Sequence, residues 1–317
     1  AILKAGETLT AAELIDVYKY FYLSQWWDGT LNLNGHVKQN RTTARSIWAA
    51  EAVWDAEIMT YRAALTTQLT AANYGKLDTL VKAIKTGYGG IANLTDKLDQ
   101  LLVYANQTEE SGLRNIVQNA YHATNVHATA FVQYEGFQGD GANDYINTGY
   151  NPSGFAGNYK QNDSMFAIYI RNKQLEADNS PTHGSQSAGI IKVGITPYRS
   201  DTGVVSARVW ANQNTEFVIN WGATSVGFSM VMRTGANSVY GWRNKTKSAQ
   251  DVTASSSSVL NGNLFDCAAN INGSAANFNQ QQVSVKIIGK APSDAEWQAI
   301  VDAVEAYMDS NGKGVIP

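Results

Sequence analysis

The sequence is poor in cysteine and in clustered charge, and it lacks long apolar runs. Cys267 is its one cysteine, so no internal disulfide can form and the disulfide-stabilised secreted scaffolds are excluded. The 24 basic and 27 acidic residues are dispersed and give a net charge of −3, so the sequence lacks the basic patch that is typical of nucleic-acid-binding proteins. No apolar run approaches the roughly 18 residues that cross a bilayer. We therefore expect a soluble chain, made in a cytoplasm, that neither inserts into a membrane nor binds nucleic acid.

Proline is absent before residue 152, and the spacing of apolar residues changes near residue 128. Up to that point apolar residues recur at helical intervals, whereas from Thr129 onwards they alternate with a period of two. This change predicts two domains, a helical one over residues 1–128 and a β-rich one over residues 129–317.

Two patterns organise the predicted helical domain. Thr10 to Glu13 (TAAE) form a capping box, in which the threonine and glutamate side chains each accept a backbone N–H at the helix start. Leucine and isoleucine then recur every seven residues from Leu77 to Leu98, interrupted by GYGG at residues 87–90. Glycines disfavour a helix interior, so a helical hairpin turning there is expected, with a three-stranded coiled coil as the alternative. A last helix is predicted from about Thr108 to His122.

The second half reads as short strands between Gly, Asn, Ser and Asp clusters. The runs SMFAIYIR, SAGIIKVGI, VSARVWA, EFVINWG, SVGFSMVMR and QVSVKIIG are β-branched and aromatic, as antiparallel sandwich strands are. Ser293 to Glu296 (SDAE) form another capping box before a helix with a clear apolar face. The predicted fold class is therefore multidomain α+β: a helical module, then an antiparallel β-sandwich of jelly-roll type closed by a C-terminal helix.

The stretch FQGDGANDYINTGYNPS, residues 137–153, contains residues that favour turns, namely glycine, aspartate, asparagine and proline, on both sides of Tyr145 and Ile146. It predicts short strands joined by tight turns. Oxygen-bearing side chains clustered in one loop also suit calcium, which makes Asp140, Asn143 and Asp144 candidate ligands. Asx side chains build turns by bonding their own backbone, so a purely structural role is the alternative. No other cofactor is expected.

This stretch resembles the entry strands of the laminin-G-like, concanavalin A-like lectin/glucanase superfamily. The closing VKIIGKAPSDAEWQAIVDAV is similar to that family's last strand and short helix, and NYKQNDS (residues 158–164) is similar to domains appended to bacteriophage structural proteins. The resemblance covers roughly residues 130–317. It implies a jelly roll that binds a glycan, carried on a virion protein, and by itself it implies no activity.

Aromatic side chains in or beside the predicted strands could stack on a sugar ring, with nearby polar groups for its hydroxyls. The alternative is that the tryptophans fill the sandwich core, because alternation alone does not assign a face. The candidate glycan-binding residues are Trp210, Trp221, Tyr240, Trp242, Arg243 and Asn244.

The catalytic pattern of the related glucanases, acidic residues at alternate positions of one strand, has no counterpart in the predicted sandwich. Glu176 and Asp178 come nearest but lie in a predicted loop. The chain is therefore predicted not to be an enzyme.

These inferences together predict a structural component of a bacteriophage virion, assembled in the host cytoplasm: a fibre, decoration or receptor-binding protein. Its helices would make a homo-oligomer, with a trimer as one form, or would bind other virion proteins. Its lectin-like domain would bind a host-surface glycan, with affinity raised by multivalent display. The alternatives are a bacterial surface carbohydrate-binding protein, a polysaccharide-degrading enzyme with an unrecognised site, and a jelly roll that only contacts neighbouring subunits.

Overall fold

The computed structural model describes residues 54–155, 157–176, 181–187, 191–201 and 204–317. Residues 54 to 317 form one compact unit. The predicted capping box at Thr10–Glu13 and the helix after it lie outside the described residues.

The described helices are few, and they flank a large body of strands. They are α1 (Ala56–Ala64), α2 (Ala71–Gly87), the short α3 (Glu109–Leu113) and the closing α4 (Asp294–Ser310), with one 3₁₀ turn at Leu94–Asp96. None of these helices is long and apolar enough to cross a bilayer.

Helix α2 starts at a threonine cap and ends at the predicted glycines. Thr70 accepts a hydrogen bond from the backbone N–H of Asn73, and Gly89 and Gly90 follow the helix with φ of +80° and +82°. Glycine adopts this left-handed conformation at little cost, which is why the helix stops here. The predicted stop is confirmed, but the second helix of the hairpin is not formed, and neither is the coiled coil.

The strands form two sheets. The strands of sheet A are β1 (Leu98–Val103), β3 (Ala130–Val132), β4 (Gly136–Gln138), β6 (Ser164–Ile170), β11 (Gly227–Gly235), β12 (Ser238–Arg243), β13 (Thr246–Lys247) and β17 (Gln282–Gly289). Their order in the sheet is β13-β12-β11-β6-β17-β4-β3. Strand β4 pairs with the first two residues of β17, and β1 pairs with β17 further along, at residues 285–289.

The strands of sheet B are β2 (Thr124–Val126), β5 (Tyr145–Asn147), β7 (His183–Gln186), β8 (Lys192–Asp201), β9 (Val204–Gln213), β10 (Phe217–Ile219), β14 (Phe265–Asp266), β15 (Ala269–Ile271) and β16 (Ser274–Ala276). Their order in the sheet is β10-β9-β8-β7-β14-β5-β2; β15 also pairs with β7, and β16 pairs with β15. Among the described residues all of these pairings are antiparallel except that of β15 with β7, which is parallel.

Sheet A is buried on both faces, as the alternation in β6 shows. Phe166, Ile168 and Ile170 belong to the core shared with sheet B. Met165, Ala167 and Tyr169 belong to a second core, which includes the apolar faces of α2 and α4. Residues 54–317 therefore form three layers: helices, sheet A and sheet B.

The predicted antiparallel sandwich with a closing helix is confirmed. The hydroxyl of Ser293 accepts the N–H of Glu296 at 3.3 Å and the Glu296 carboxylate accepts the N–H of Ser293 at 2.6 Å, which is the predicted capping box. Each of the six predicted strand runs overlaps a strand of the structure in its described part.

The assignment of helix up to residue 128 is wrong from residue 98 onwards. Leu98–Val103 is strand β1, and the helix predicted over 108–122 is reduced to α3. All six residues of β1 (LDQLLV) are buried, including Asp99 and Gln100, so the run has no alternation of apolar and polar residues that would distinguish strand from helix. Because β1 pairs with β17, the compact unit extends across the predicted boundary at 128 and 129.

Candidate functional site

The predicted glycan-binding tryptophans are mostly core residues. Trp210 is 0% exposed and Trp242 is 1% exposed. Trp242 packs in the core beneath the helices. Neither ring presents a face to solvent. These two tryptophans therefore fill the core, which was the alternative to sugar binding.

Arg243 and Asn244 hold the backbone in place. Arg243 is 6% exposed and donates to the carbonyls of Thr224, Val226 and Pro197 at 2.9–3.1 Å. Asn244 has a φ of +54°, and its side-chain oxygen accepts the N–H of Phe228 at 2.8 Å. These contacts occupy both Nη groups of Arg243 and the side-chain oxygen of Asn244, which were expected to meet sugar hydroxyls.

Trp221 and Tyr240 are half-buried but lie on opposite faces of sheet A. Trp221 packs against the core between the sheets, beneath the Arg243 guanidinium at 4.9 Å from the ring centroid. Tyr240 packs against the helix-side core, and Lys247 Nζ lies 4.1 Å from its ring centroid. The six predicted residues therefore do not converge on one surface.

The predicted calcium loop is an Asx turn. Asp140 Oδ1 accepts the backbone N–H groups of Ala142, Asn143 and Asp144 at 2.8–3.0 Å, and these bonds lower the pKa of Asp140. Burial, and then the Asp140 charge, raise the pKa of Asp144, while His127 acts in the opposite direction. No group of three or more His, Cys, Asp or Glu side chains suited to a metal occurs among the described residues. Calcium binding by Asp140, Asn143 and Asp144 stays a prediction.

A different surface forms an open groove of about 510 Å³, a volume in the range of small-ligand sites. We name it the Asn125 groove. It lies where α3, the end of β2 and the start of β3 meet, and its lining is Glu109, Asn125, Ala128, Thr129, Ala130 and Phe131.

Asn125 organises the groove. Its amide nitrogen donates to Glu109 Oε1 at 2.6 Å and to the Thr129 carbonyl at 3.0 Å. Its side-chain oxygen is buried and has no hydrogen-bond partner among the described residues. A buried acceptor without a partner costs free energy unless a water molecule or a ligand donates to it. Glu109 itself is exposed, so its carboxylate can also accept from a bound molecule.

The turn between β2 and β3 holds two successive left-handed residues that are not glycine. His127 has a φ of +61° and Ala128 a φ of +62°. Such conformations are strained for residues with a Cβ and concentrate at functional sites. The Thr129 hydroxyl is 3.2 Å from both the Val126 and the Tyr145 carbonyls, which ties the turn to β5.

Partly exposed rings continue from this turn. His127 and Tyr145 have ring centroids 6.4 Å apart, and Tyr145 and Phe278 have ring centroids 6.3 Å apart. Tyr145 also packs on the buried Phe265 at 4.6 Å. We name His127, Tyr145 and Phe278 the ring strip. Tyr145 belongs to the stretch 137–153, so this stretch borders the groove without lining it.

Little in the sequence predicts this site. Residues 124–130 (TNVHATA) carry no recognised motif, and Glu109 lies in the segment predicted as the last helix of the helical domain. Of the two acidic residues considered for catalysis, Glu176 is buried at 5% exposure and Asp178 lies outside the described residues.

No protein-family model and no curated protein matches the chain. Among solved structures it is similar to domain 4 of the GH43 extracellular arabinanase AbnA from Geobacillus stearothermophilus, in complex with arabinotriose. The identity is 10% and the TM-score 0.44, with 65% of this chain and 98% of that chain covered.

It is also similar to Trypanosoma rangeli sialidase, with 2,3-difluorosialic acid at 13% identity and TM-score 0.47 and with sialic acid at 12% and 0.46. The matches cover 86% and 90% of this chain, and the chain spans 40% of the length of each sialidase. At TM-scores below 0.5 and identities of 10–13%, the likeness transfers no activity to this chain.

The prediction that the chain is not an enzyme is contradicted, because sialidases and a domain of an arabinanase are among the solved structures that are similar to it, and we withdraw it. The described residues form the β-sandwich that the family resemblance implies, whereas none of the neighbours named here is a laminin-G-like phage domain.

Proposed function

We propose that this chain is a carbohydrate-binding protein and that the Asn125 groove, with the ring strip beside it, receives the sugar. The observation that carries the proposal is the Glu109 and Asn125 pair, joined at 2.6 Å, in an open groove. Sugar hydroxyls both donate and accept, and an amide beside a carboxylate matches that pattern.

Glu109 is exposed and gives the groove an acceptor with negative charge. The hydrogen bond from the Asn125 amide holds this carboxylate in place before a sugar binds, which lowers the entropy cost of binding. Phe131 in the groove and Tyr145 in the ring strip supply apolar surface for the C–H face of a sugar ring.

The test is a titration of the purified chain against a panel of oligosaccharides, followed by calorimetry with any that bind. Asn125→Ala is expected to weaken binding about tenfold or more, because it removes the donor that holds the Glu109 carboxylate in place. Tyr240→Ala, on the far side of sheet A, is the matched control and should leave the affinity unchanged. Equal loss in both variants, or binding that ignores Asn125, would contradict the assignment. Release of reducing sugar in the same samples would add an activity to the binding.

Display on a bacteriophage particle is a finer proposal that rests on the family resemblance alone. The virion location, homo-oligomerisation, contact with other virion proteins and adhesion to a host glycan all belong to it. The solved structures that resemble the chain favour the broader alternative of a carbohydrate-binding or carbohydrate-active protein. Immunodetection on purified particles from a lysate would test the virion role.

A further inference from the structure

A lysine and an aspartate meet in the interior of the sandwich. Lys286 Nζ lies 2.6 Å from Asp266 Oδ1, and both side chains are 0% exposed. Lys286 belongs to β17 of sheet A and Asp266 to β14 of sheet B, so the contact crosses the core between the sheets. Two buried charges cost several kcal/mol each to desolvate, and their mutual attraction seldom repays this cost in full.

The neighbours of the pair are a ring on one side and hydrogen-bonding groups on the other. Lys286 Nζ lies 3.5 Å from the centroid of the Phe166 ring. The Tyr104 hydroxyl donates to Asp266 Oδ2 at 2.8 Å. His183 Nδ1 lies 4.0 Å from Asp266 Oδ1 and accepts the backbone N–H of Cys267 at 3.1 Å.

Burial lowers the pKa of the Lys286 ammonium, against the opposing effect of the Asp266 charge. It also raises the pKa of Tyr104 well above its usual value, so this phenol stays a donor. His183 is neutral, because burial lowers its pKa to about 4. Burial therefore favours the uncharged amine of Lys286, and the 2.6 Å contact gives its proton a direct path to Asp266 Oδ1.

We propose that Lys286 and Asp266 condense to form an intramolecular amide bond that joins the two sheets covalently. The amine nitrogen attacks Cγ of Asp266, and the Cγ–Oδ1 bond breaks. Oδ1 leaves as water with the proton it received from the ammonium and a second proton from Nζ. Oδ2 is kept as the amide oxygen, and no oxidant, reductant or other reactant takes part.

The fold provides three conditions that a free amine and a free carboxyl group lack in water: close contact, a hydrogen-bond donor for the oxyanion, and the exclusion of water. Two groups held in contact react with effective concentrations of about 10⁵ M or more when their alignment is good. Tyr104 points its O–H at the oxygen that carries negative charge in the tetrahedral intermediate, as an oxyanion-hole donor does. Surrounding apolar residues, including Phe137, Phe166 and Ile168, exclude water that would favour hydrolysis.

Intact-mass spectrometry of the denatured full chain tests the proposal. The expected mass is that of the sequence less one water molecule, and a tryptic digest is expected to contain one branched peptide joining Asp266 to Lys286. The chain supplies its own control: Lys247 Nζ also lies 2.6 Å from Asp294 Oδ1, but these side chains are 28% and 57% exposed. The control pair should give unlinked peptides only.

An intact mass equal to that of the unmodified chain, with Lys286 and Asp266 in separate peptides, would overturn the proposal whatever any variant does. Lys286→Arg keeps the charge without the nucleophilic amine and should restore the full mass. Tyr104→Phe keeps the ring and should slow amide formation roughly 100-fold, the effect of losing one oxyanion donor. Its readout is the branched-peptide fraction at a fixed time after cell-free synthesis. A fraction equal to that of the chain with Tyr104 in place would overturn the role given to Tyr104.

Discussion

The hydroxyl of Tyr169, in the central strand β6, donates a 2.6 Å hydrogen bond to Glu305 Oε2 on α4. The same hydroxyl oxygen accepts the N–H of Val315 at 2.9 Å, and Glu305 Oε1 accepts the N–H of Ile316 at 2.9 Å. These bonds tie the closing helix and the chain after it to sheet A. The helical layer is therefore part of the sandwich's structure.

Tyr169→Phe is expected to lower the free energy of unfolding by about 1.5–3 kcal/mol, because it removes a hydrogen bond to a largely buried carboxylate. Urea unfolding followed by tryptophan fluorescence measures this change. Tyr240→Phe is the control, since its hydroxyl bonds the exposed Gln250 and its loss should change stability by less than about 0.5 kcal/mol. Equal effects in the two variants would show that the Tyr169 bond contributes nothing special.

Deleting residues 1–53 should leave a folded protein, because the compact unit begins at Trp54. Deleting residues 1–128 should unfold it, because β1 pairs with β17 and the buried face of α2 is lost from the helix-side core. Circular dichroism and cooperative thermal melting compare the two truncations. A folded product from the longer deletion would show that β1 is dispensable.

The shorter deletion also tests the predicted oligomer. Light scattering should report a larger assembly for the full chain than for residues 54–317 if the first 53 residues carry the assembly function. Two monomers would contradict self-assembly through that segment. Two equal oligomers would place the interface within residues 54–317.

Mild acid should destabilise the protein through His183. Its pKa falls from 6.5 to about 4 on burial, so the unfolded state binds the extra proton between these values. Stability is therefore full above about pH 6.5 and falls as the pH drops towards 4, by roughly 3 kcal/mol if the whole shift is realised. Denaturant midpoints at several pH values measure it.

His183→Gln provides the comparison, because glutamine can still bond Gln281 and the Cys267 N–H without titrating. This variant should lose most of the slope between pH 6.5 and 4.5. The carboxylates with lowered pKa values, such as Glu135 and Glu110, lose their contribution to stability only as the pH falls below the ordinary glutamate pKa of 4.5. An unchanged slope would show that another group titrates in this window.

Melting experiments distinguish the predicted calcium site from the alternative of a purely structural turn, in which Asp140 Oδ1 only accepts three backbone N–H groups and calcium leaves the melting temperature unchanged. Melting in chelator and in excess calcium measures this. A rise with calcium that disappears in Asp144→Asn would instead confirm the predicted site at Asp140, Asn143 and Asp144.

The sequence by itself determined what depends on near neighbours along the chain. The capping box at Ser293 and Glu296, the stop of α2 at Gly89 and Gly90, and the strand runs all follow from spacings of a few residues. These signals are local because hydrogen bonds within a turn or cap join residues three or four positions apart. The local pattern of strand β1 predicted the wrong element. All six of its residues are buried, so LDQLLV has no alternation of apolar and polar residues that would reveal a strand.

Tertiary structure decided which residues face solvent and which groups meet. Alternation placed Trp210 on a predicted strand and Trp242 outside the predicted runs, but only the packing of helices and sheets buried both side chains. Asn125 bonds Glu109 across 16 residues, and Tyr104 reaches Asp266 across 162. Contacts at such separations are set by how sheets and loops stack, and stacking depends on the burial of the whole apolar surface. The Asn125 groove and the Lys286–Asp266 pair are therefore products of the fold.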